Sequence, residues 1–439
     1  MTEFIDKCLD KCLSGKALKR SEIIRLLKIE IGSSEDEYLR KAARKAAEKI
    51  TGNNGCIWCA VGMDYAPCPM NCKFCSFGER WELIKESRHI NKTELLRRVK
   101  QYVDGGAAYV VLRTTEFYSL DMLLDYVPDI RASVPGDYAI ILNTGELDMM
   151  TAQRVADAGV YGVYHALRFR EGQDTPFEPV QRIKTMQSVT QTDLNLISLV
   201  EPLGNEHTDE EIADLFLNAV SCGAKMSGVM ARFPVSGTPY GDTEQVSDEK
   251  IAHVIAVLRL SGGTSVRDIC VHPVTKEALN SGANVMVVEA GAIPRDAEFS
   301  QNEWHGMDID SARRLLTECG YRVAPPPAKR SRGTKKCPCE GSNLEKFLQP
   351  IILHALHRHA GNGYYVYLTI GKYVTYGETV PDKAVTYRYL KSMEKRGLIE
   401  KNEGVYSITE QGEECLENWR RTLNDYSNTL KILTKQLEK

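Results

Sequence analysis

Three closely spaced cysteines are the part of this sequence best suited to metal chemistry. They stand in the run Cys68-Pro-Met-Asn-Cys72-Lys-Phe-Cys75, which has C-x3-C-x2-C spacing. Three thiolates in one loop can hold three irons of a [4Fe-4S] cube and leave the fourth iron open to a ligand that is not protein. The alternative is half of a zinc site, but zinc ribbons usually show two C-x2-C pairs a dozen or more residues apart. The spacing therefore predicts an iron-sulfur cluster held by Cys68, Cys72 and Cys75.

The triplet, with the aromatic Phe74 before its last thiol, resembles the cluster loop of the radical S-adenosylmethionine (SAM) enzymes. In that family the free iron chelates the amino and carboxylate groups of SAM. One electron then splits the sulfonium to methionine and a 5′-deoxyadenosyl radical, so the cofactor carries chemistry that no side chain can do. The resemblance implies a [4Fe-4S] cluster and SAM as cofactors, and an electron donor such as ferredoxin or flavodoxin. It also implies that Phe74 shields the cluster near the adenine.

The elements that must position this loop read as short β runs alternating with amphipathic helices. Strict alternation predicts parallel pairing with right-handed crossovers. About eight strands predict an α/β fold of the (β/α)8 TIM type, with its chemistry at the carboxyl ends of the strands, where the cysteine loop also lies. The predicted strands are 57–61, 108–112, 138–142, 159–164, 194–200, 226–230, 269–272 and 285–289.

The segment after the predicted fourth strand, from His165 to Thr175, is similar to the corresponding segment of biotin synthase and its relatives. Those relatives include the hydrogenase and methylornithine maturation enzymes, in which the segment helps to bind SAM and substrate. SAM presents a carboxylate, an ammonium and a sulfonium, so an Arg fork and a Glu are complementary partners. We therefore expect Arg168 and Glu171 to bind SAM; the alternative is a solvated charge run.

Polar side chains also follow other predicted strands, and their position alone favours a role in a pocket. Arg113-Thr-Thr-Glu116 follows the second strand, where the family often places a polar run against the amino group of SAM. The run after the sixth strand resembles the one that lines the adenine in these enzymes. The resemblance covers about residues 50 to 320. The further cofactor-binding candidates are Thr114, Glu116, Asn143, Met230 and Arg232.

The sequence departs from biotin synthase at the site of that enzyme's second, [2Fe-2S] cluster. Biotin synthase carries cysteines on its second, third and fifth strands, whereas the corresponding strands here have none, so biotin synthesis is not expected. Two other close pairs, Cys56 with Cys59 and Cys337 with Cys339, provide four thiolates. Four suffice for a second [4Fe-4S] cluster, which would suit sulfur insertion of the lipoyl type, or for a structural zinc; independent thiols are the third interpretation.

Residues 344–439 follow a different pattern, with three helices, a short hairpin and a long final helix, which is typical of a winged helix-turn-helix. The run from Tyr387 to Ile399 closely resembles the PadR-type regulators. In that family the third helix enters the major groove of DNA and the last helix forms a dimer. The resemblance implies DNA, a protein partner or a homodimer, with phosphate contacts from Arg388, Lys391, Lys395 and Arg396.

Length and composition set the wider limits. A chain of 439 residues suffices for two or three domains. We expect an N-terminal helical extension (1–50), the barrel (51–323), a Pro-rich basic linker with a cysteine pair (324–343) and the winged helix domain (344–439). The net charge of −3 predicts no polyanion partner for the whole molecule. No run of eighteen apolar residues and no signal-peptide layout occur, so we expect a soluble cytoplasmic protein without a membrane partner. Because iron-sulfur clusters are sensitive to oxygen, we also expect an anaerobic setting.

These observations lead to three functional hypotheses. The first is a radical SAM enzyme that takes hydrogen from an unactivated carbon of a small or carrier-bound substrate for lipoyl-type sulfur insertion. The second is the same hydrogen abstraction in a maturase or a carbon-skeleton mutase of the methylornithine or hydrogenase type. The third is a redox- or SAM-sensing regulator that binds DNA through the winged helix.

Overall fold

The computed structural model describes residues 1–326, 348–370 and 383–437. The chain forms two compact units, Met1–Ala328 and Lys329–Lys439. None of the helices in the described part of the chain is both long enough and apolar enough to cross a membrane.

The first unit is built on a closed barrel of eight parallel strands, as the sequence predicts. Each strand pairs with the next, and the last pairs with the first in a register from Cys56↔Val285 to Gly62↔Gly291. After the fifth strand, Val200–Leu203 continues the pairing with the sixth. The strands are β1 (Asn54–Gly62), β2 (Tyr109–Arg113), β3 (Ala139–Asn143), β4 (Gly162–Tyr164), β5 (Asn195–Ile197), β6 (Met226–Ala231), β7 (Asp268–His272) and β8 (Val285–Ala292).

The barrel strands are apolar on both faces because each face is buried, one in the barrel and the other beneath the helices. Along β1, Trp58 and Ala60 belong to the packed interior of the barrel. Ile57, Cys59 and Val61 belong instead to the larger core between the strands and the outer helices. The side-chain direction therefore alternates along the strand, and this alternation decides which residues face the site.

Helices connect the strands on the outside of the barrel. Asn91, Ser119, Asp148 and Thr208 each cap one of them by accepting a hydrogen bond from the amide three residues later, which satisfies a free donor of the first turn. The helices of this unit are α1 (Thr2–Leu13), α2 (Arg20–Leu27), α3 (Ser34–Thr51), α4 (Lys92–Asp104), α5 (Leu120–Ser133), α6 (Met149–Asp157), α7 (Pro179–Thr190), α8 (Asp209–Ser221), α9 (Asp248–Gly262), α10 (Lys276–Asn280) and α11 (Ile309–Glu318).

The N-terminal helices α1, α2 and α3 cover α9. After the first turn of α9, every residue from Ile251 to Gly262 is buried. A polar contact holds this layer together. The ring of His253 on α9 lies 2.8 Å from a carboxylate oxygen of Asp36 and 3.0 Å from the carbonyl oxygen of Leu27. Arg40 lies 3.0 Å from the second carboxylate oxygen of Asp36. The N-terminal extension is therefore tied to the barrel by buried hydrogen bonds to the ring of His253 as well as by apolar packing.

Short β segments border the ends of the barrel. Asp64–Tyr65 follows β1 and pairs antiparallel with Arg88–His89, so that the segment between them, which carries the three cysteines, leaves and returns at one place. Phe299–Glu303 pairs antiparallel with β8. Arg322–Val323 pairs with the start of β1, at the opposite end of the strand from the cysteines.

The second unit has the order of a winged helix-turn-helix, as the sequence predicts. Its core is formed by residues such as Ile352, Leu390 and Trp419, all buried. A short segment, Gly361–Asn362, joins the hairpin as a third strand. The elements are α12 (Leu348–Arg358), α13 (Gly363–Ile370), α14 (Lys383–Lys395), β9 (Ile399–Asn402), β10 (Val405–Ile408) and α15 (Glu410–Leu437).

We predict that Asp36→Asn lowers the free energy of unfolding by about 3 kcal/mol at pH 7, because it removes the buried carboxylate that Arg40 and His253 both contact. Burial raises the pKa of Asp36, but hydrogen bonds from His253 and the amide of Gly32 outweigh it, and the pKa lies below its ordinary value. The stabilisation is therefore present above the pKa of the unfolded chain, about 4, and is lost as the pH falls through the lower pKa of the folded chain.

Urea unfolding followed across the acid range measures this effect. The matched control is Glu37→Gln, which changes the next residue of α3, an exposed acid paired with Lys41, and is expected to leave the stability almost unchanged. Equal stability of the two variants at pH 7 would contradict the prediction.

Candidate active site

A pocket of about 1230 Å³, including its open mouth, lies at the carboxyl ends of the barrel strands. We call it the mouth pocket. It is lined by Cys68, Cys72 and Cys75 and by residues that follow several strands. The mouth pocket also brings together most of the predicted cofactor-binding residues, namely Phe74, Thr114, Glu116, Asn143, Arg168, Met230 and Arg232.

The cysteine loop is held by hydrogen bonds to three separate parts of the barrel mouth. The amide of Ser76 donates to the carbonyl oxygen of Pro294, which follows β8, at 2.9 Å. The amide of Lys73 donates at 2.9 Å to the carbonyl oxygen of Asp174, which follows β4. The amide of Tyr240, which follows β6, donates to the carbonyl oxygen of Lys73 at 3.3 Å. The loop is therefore positioned by backbone contacts that do not depend on its thiols.

The donor set of this loop fits an iron-sulfur cluster better than a single metal ion. Among the described residues, no group of three His, Cys, Asp or Glu side chains converges as one metal ion requires. A cube does not require convergence, because each thiolate binds a different corner iron. Burial raises the pKa of Cys72 to about 12 and that of Cys75 to about 11, so binding of iron must displace their protons.

Arg168 presents an unused donor to the mouth pocket. Its Nε lies 3.3 Å from a carboxylate oxygen of Glu201. Its Nη1 is buried and lies 3.8 Å from a carboxylate oxygen of Glu171, but it has no hydrogen-bond partner in the described part of the chain. A guanidinium with a free donor in a pocket suits a carboxylate ligand, since charge-assisted hydrogen bonds are stronger than neutral ones.

The sequence predicts that Glu171 binds SAM, but Glu171 does not line the mouth pocket. Its carboxylate accepts hydrogen bonds from the amide of Arg168 at 2.8 Å and from the hydroxyl of Thr175 at 2.6 Å, and it lies 3.5 Å from Nε of Arg182. Glu171 therefore shapes the turn that presents Arg168, because its oxygens are already used inside the protein.

The residues after β2 and β3 are joined to each other. The amide of Thr114 donates to the carbonyl oxygen of Asn143 at 2.9 Å, and the side-chain amide of Asn143 donates to the carbonyl oxygen of Tyr164 at 3.2 Å. Burial raises the pKa of Glu116. Gly145 permits the approach of Glu116, since a Cβ there would lie 2.8 Å from its carbonyl oxygen. These contacts hold Thr114, Glu116 and Asn143 along one side of the pocket.

Met230 and Arg232, at the end of β6, differ in what they can offer a ligand. The sulfur of Met230 lies 3.3 Å from Nη1 of Arg295 and faces the pocket. Arg232 is bonded through both terminal nitrogens to the carboxylate of Glu206 and lies over the ring of Tyr240, 4.1 Å from its centroid. The charge of Arg232 is therefore neutralised within the protein, and its stem, more than its guanidinium, lines the pocket.

Arg182 is a pocket residue that the motifs do not reveal. It is buried and lies 3.0 Å from Glu146, whose other carboxylate oxygen lies 3.2 Å from Nε2 of His165 and accepts a bond from Thr185. Burial opposes ionisation of Glu146, but the bond with His165 and the charge of Arg182 bring its pKa to about 2. Burial lowers the pKa of His165 to about 4, so its ring is neutral. A sequence signal exists: Arg182 falls on the buried stripe of α7.

A second charged group surrounds Glu289 on β8. Its carboxylate lies 2.9 Å from Nη1 of Arg113 and 3.3 Å from Nε2 of His272, and it accepts bonds from Arg295. Although burial opposes ionisation, the charge of Arg295 and the other partners hold the pKa of Glu289 well below its ordinary value. Burial lowers the pKa of His272. Three strand ends, those of β2, β7 and β8, therefore meet at one anionic centre.

Glu201 lies deep in the mouth pocket. The hydroxyl of Tyr164 donates to its carboxylate. Burial raises the pKa of Glu201 to about 8, although the charge of Arg295 acts in the opposite direction. A carboxyl group that is mostly protonated at neutral pH can donate a hydrogen bond to a ligand.

The structure separates Cys56 from Cys59, which the sequence treats as a metal-binding pair. Cys56 packs inside the barrel, whereas Cys59 packs under the outer helices. Two thiols on opposite faces of one strand cannot bind the same metal ion. Cys337 and Cys339 lie outside the described residues. Cys8, Cys12, Cys222, Cys270, Cys319 and Cys415 are buried.

The predicted nucleic-acid residues lie on and beside α14. Lys391 and Lys395 are exposed. Nη1 of Arg396 donates to the side-chain oxygen of Gln349 at 2.9 Å, so this guanidinium is partly engaged within its own unit. The side chain of Arg388 lies outside the described residues.

Comparison with known proteins finds likenesses in both units. A family model described as winged helix-turn-helix matches residues 382–426. Biotin synthase from Saccharopolyspora erythraea is 24% identical over 261 residues, which cover 57% of this chain and 72% of that protein. Biotin synthase 2 from Corynebacterium diphtheriae is 24% identical over 333 residues, which cover 71% of this chain and 93% of that protein.

Solved structures share the barrel fold. The structure of methylornithine synthase (PylB) matches with a TM-score of 0.60 at 20% identity, over 72% of this chain and 97% of that chain. The FeFe-hydrogenase maturase HydG from Carboxydothermus hydrogenoformans matches with a TM-score of 0.60 at 16% identity, over 89% of this chain and 94% of that chain.

We predict that the chain, reconstituted anaerobically, holds about four irons and that Cys68→Ala, Cys72→Ala and Cys75→Ala each lose most of them. Cys59→Ala serves as the matched control, because its thiol faces the outer helices, and it is expected to keep its iron. Iron, sulfide and zinc analysis measures the outcome. If the wild type held about eight irons, or zinc, and Cys59→Ala lost part of that metal, the result would contradict the separation of Cys56 from Cys59.

Proposed function

We infer that this chain, which joins a radical SAM barrel of the biotin synthase-like type to a winged helix-turn-helix domain, is an enzyme that cleaves SAM reductively at a [4Fe-4S] cluster. It then takes a hydrogen atom from an unactivated carbon of a small or carrier-bound substrate. The observation that carries the proposal is that Cys68, Cys72, Cys75 and Arg168 line one pocket at the strand ends.

Each pocket residue has a role in this proposal. When bound, the cluster and SAM supply a 5′-deoxyadenosyl radical. The three cysteines ligate the cluster, and the free Nη1 of Arg168 binds the carboxylate of SAM. Glu116 and Thr114 face its ammonium group. Phe74 and Met230 pack against the adenine, and Asn143 and Arg232 border the remaining wall.

For the fate of the substrate radical we favour a rearrangement or a maturation step over sulfur insertion. Sulfur insertion of the lipoyl type needs a sulfur donor beside the substrate. Apart from the cluster ligands, no cysteine of the described residues lines the mouth pocket. The separation of Cys56 from Cys59 also removes half of the thiol set from which a second cluster was expected.

We predict that the reduced wild-type chain converts SAM to 5′-deoxyadenosine and that Cys72→Ala does not. Arg168→Gln is expected to weaken binding of SAM about tenfold to a hundredfold, because a hydrogen bond to a charged group contributes roughly 1.5 to 3 kcal/mol. Equilibrium dialysis with labelled SAM and chromatographic detection of 5′-deoxyadenosine measure the two effects.

The matched control is Arg170→Gln. Arg170 lies in the same turn but pairs with Glu211 outside the mouth pocket, at 3.2 Å, and its loss is expected to leave the affinity for SAM unchanged. The role of Arg168 is refuted by equal affinities of the two variants. Cleavage of SAM by Cys72→Ala would refute the role of the cysteine loop.

A second candidate function is a regulator that senses SAM or redox state and binds DNA. It is favoured by the winged helix domain and by the exposed Lys391 and Lys395 on α14.

If the domain binds DNA, the double variant Lys391→Gln with Lys395→Gln should bind every sequence more weakly. The salt dependence of its affinity should correspond to about two fewer phosphate contacts. Fluorescence anisotropy with a mixed-sequence duplex at several salt concentrations measures this. The control replaces Lys401, which lies over the ring of Tyr406 on the hairpin, by Gln. The regulator hypothesis fails if the wild type binds no duplex at low salt.

A further inference from the structure

Several arginines line the mouth pocket, and one of them, Arg295, follows the strand opposite the one that Arg168 follows. Arg168 follows β4 and Arg295 follows β8, and these strands are opposite each other in a closed sheet of eight. In the proposed function the single carboxylate of SAM occupies Arg168. Arg295 is then left for another ligand.

The donors of Arg295 are only partly used by the protein. Its Nη2 donates to both carboxylate oxygens of Glu289. Among the residues that the structure describes, its Nη1 is bonded only to the thioether sulfur of Met230, a weak acceptor, at 3.3 Å. Its Nε is buried and has no hydrogen-bond partner among the described residues, and the side chain as a whole is only 10% exposed. A buried donor without a partner is costly, and a ligand oxygen would satisfy it.

The charge around Arg295 also calls for an anion. Arg113 and Arg295 contribute two positive charges, and Glu289, which both of them contact, contributes one negative charge. His272 is the fourth member, and burial disfavours its charged form. The group therefore carries about one net positive charge in a desolvated place. That charge matches one carboxylate better than a phosphate dianion, which Glu289 would also repel.

We propose that Arg295, supported by Glu289 and Arg113, binds the free carboxylate of a small-molecule substrate in the part of the mouth pocket that follows β8, beside the proposed SAM site. The proposal rests on the proposed function and deepens it by naming the substrate class. An acyl group attached to a carrier has lost the charge of its carboxyl group and cannot meet this requirement at the attached end. The substrate is therefore a small carboxylic acid, held by its anionic end while its carbon chain extends into the mouth pocket.

Binding of a model acid tests the proposal without turnover. The cluster-loaded chain with SAM bound, kept without reductant, is titrated with butyrate, with the isosteric neutral butyramide and with inorganic phosphate, and the rise of the melting temperature gives the affinity. Butyrate is expected to stabilise the wild type more than either other probe. Arg295→Gln should weaken butyrate at least tenfold. Failure of butyrate to stabilise the wild type, or equal stabilisation of Arg295→Gln, overturns the proposal.

Two further variants make the outcome specific. Arg313→Gln removes an exposed charge on α11, and it should bind butyrate as the wild type does. Arg295→Lys keeps the charge and should retain part of the affinity; if Arg295→Gln cannot be loaded with iron, Arg295→Lys decides. Loss of butyrate binding in Arg313→Gln, or equally tight binding of butyramide and butyrate, overturns the proposal, because neither would reflect a carboxylate held at Arg295.

The affinity for SAM separates the substrate role from the cofactor role. Arg295→Gln should bind SAM within twofold of the wild type, whereas Arg168→Gln should not. If Arg295→Gln weakens SAM as much as Arg168→Gln does, Arg295 serves the cofactor and the proposal is overturned. Formation of 5′-deoxyadenosine by the same wild-type preparation, once reduced, tests the proposed function by itself. A chain that cleaves SAM but does not discriminate butyrate refutes only the carboxylate site.

Discussion

The pairing of β1 with β8 is the constraint on which the rest of the site depends. It closes the barrel, and it places the cysteine loop, which follows β1, beside Pro294 and Arg295, which follow β8. The two strands approach so closely that a Cβ on Gly62 would lie 2.1 Å from the carbonyl oxygen of Ala292. Its partner Gly291 has a φ of +84°, which residues with a side chain rarely adopt. A larger residue at either glycine would separate the strands, and the thiols would lose their position relative to the charged groups of β8.

Charged groups at the barrel mouth are tolerable only because carboxylates are shared among cations. Removing an ion from water costs several kcal/mol, and only close partners offset this cost. Glu289 serves Arg113 and Arg295 together, and on the opposite side Glu146 and Glu171 share Arg182. Where the partners do not offset burial, the neutral form is favoured, as for Glu201 with its pKa of about 8. Because the protein balances most of its own charge, the few donors left without a partner in the pocket are the places where a charged ligand gains most.

The sequence carries the fold and the cluster loop more clearly than the rest of the site, for physical reasons. Buried parallel strands are apolar on both faces, so their runs stand out, and the three cysteines belong to one local segment. Arg182 and Arg295 are not part of any motif; they reach the pocket because α7 and the segment after β8 bring them there, which is a tertiary effect. Glu171 was expected to bind SAM because its charge complements the cofactor. In the structure its carboxylate instead accepts a hydrogen bond from the amide of Arg168 in the same turn. A metal site that includes both Cys56 and Cys59 does not fit the structure. Two cysteines three residues apart can bind one metal in a loop, but in a strand they point to opposite faces, and residues 57–61 were already predicted to form a strand.

The radical chemistry proposed for this chain would explain why so many polar groups of the pocket are locked in ion pairs. In acid-base catalysis a side chain must be free to exchange a proton, and its pKa must lie near the working pH. Hydrogen abstraction by a cofactor-derived radical requires instead that one carbon be held at a fixed place while competing reactions are excluded. Rigid anchors serve that purpose better than titrating groups do. Glu289, with three buried partners, cannot move without leaving Arg113 and Arg295 unpaired, and the same holds for Glu146 with Arg182. The pocket is therefore built to fix the position of its ligands, and the specificity of the reaction follows from which end of the substrate the free donors hold.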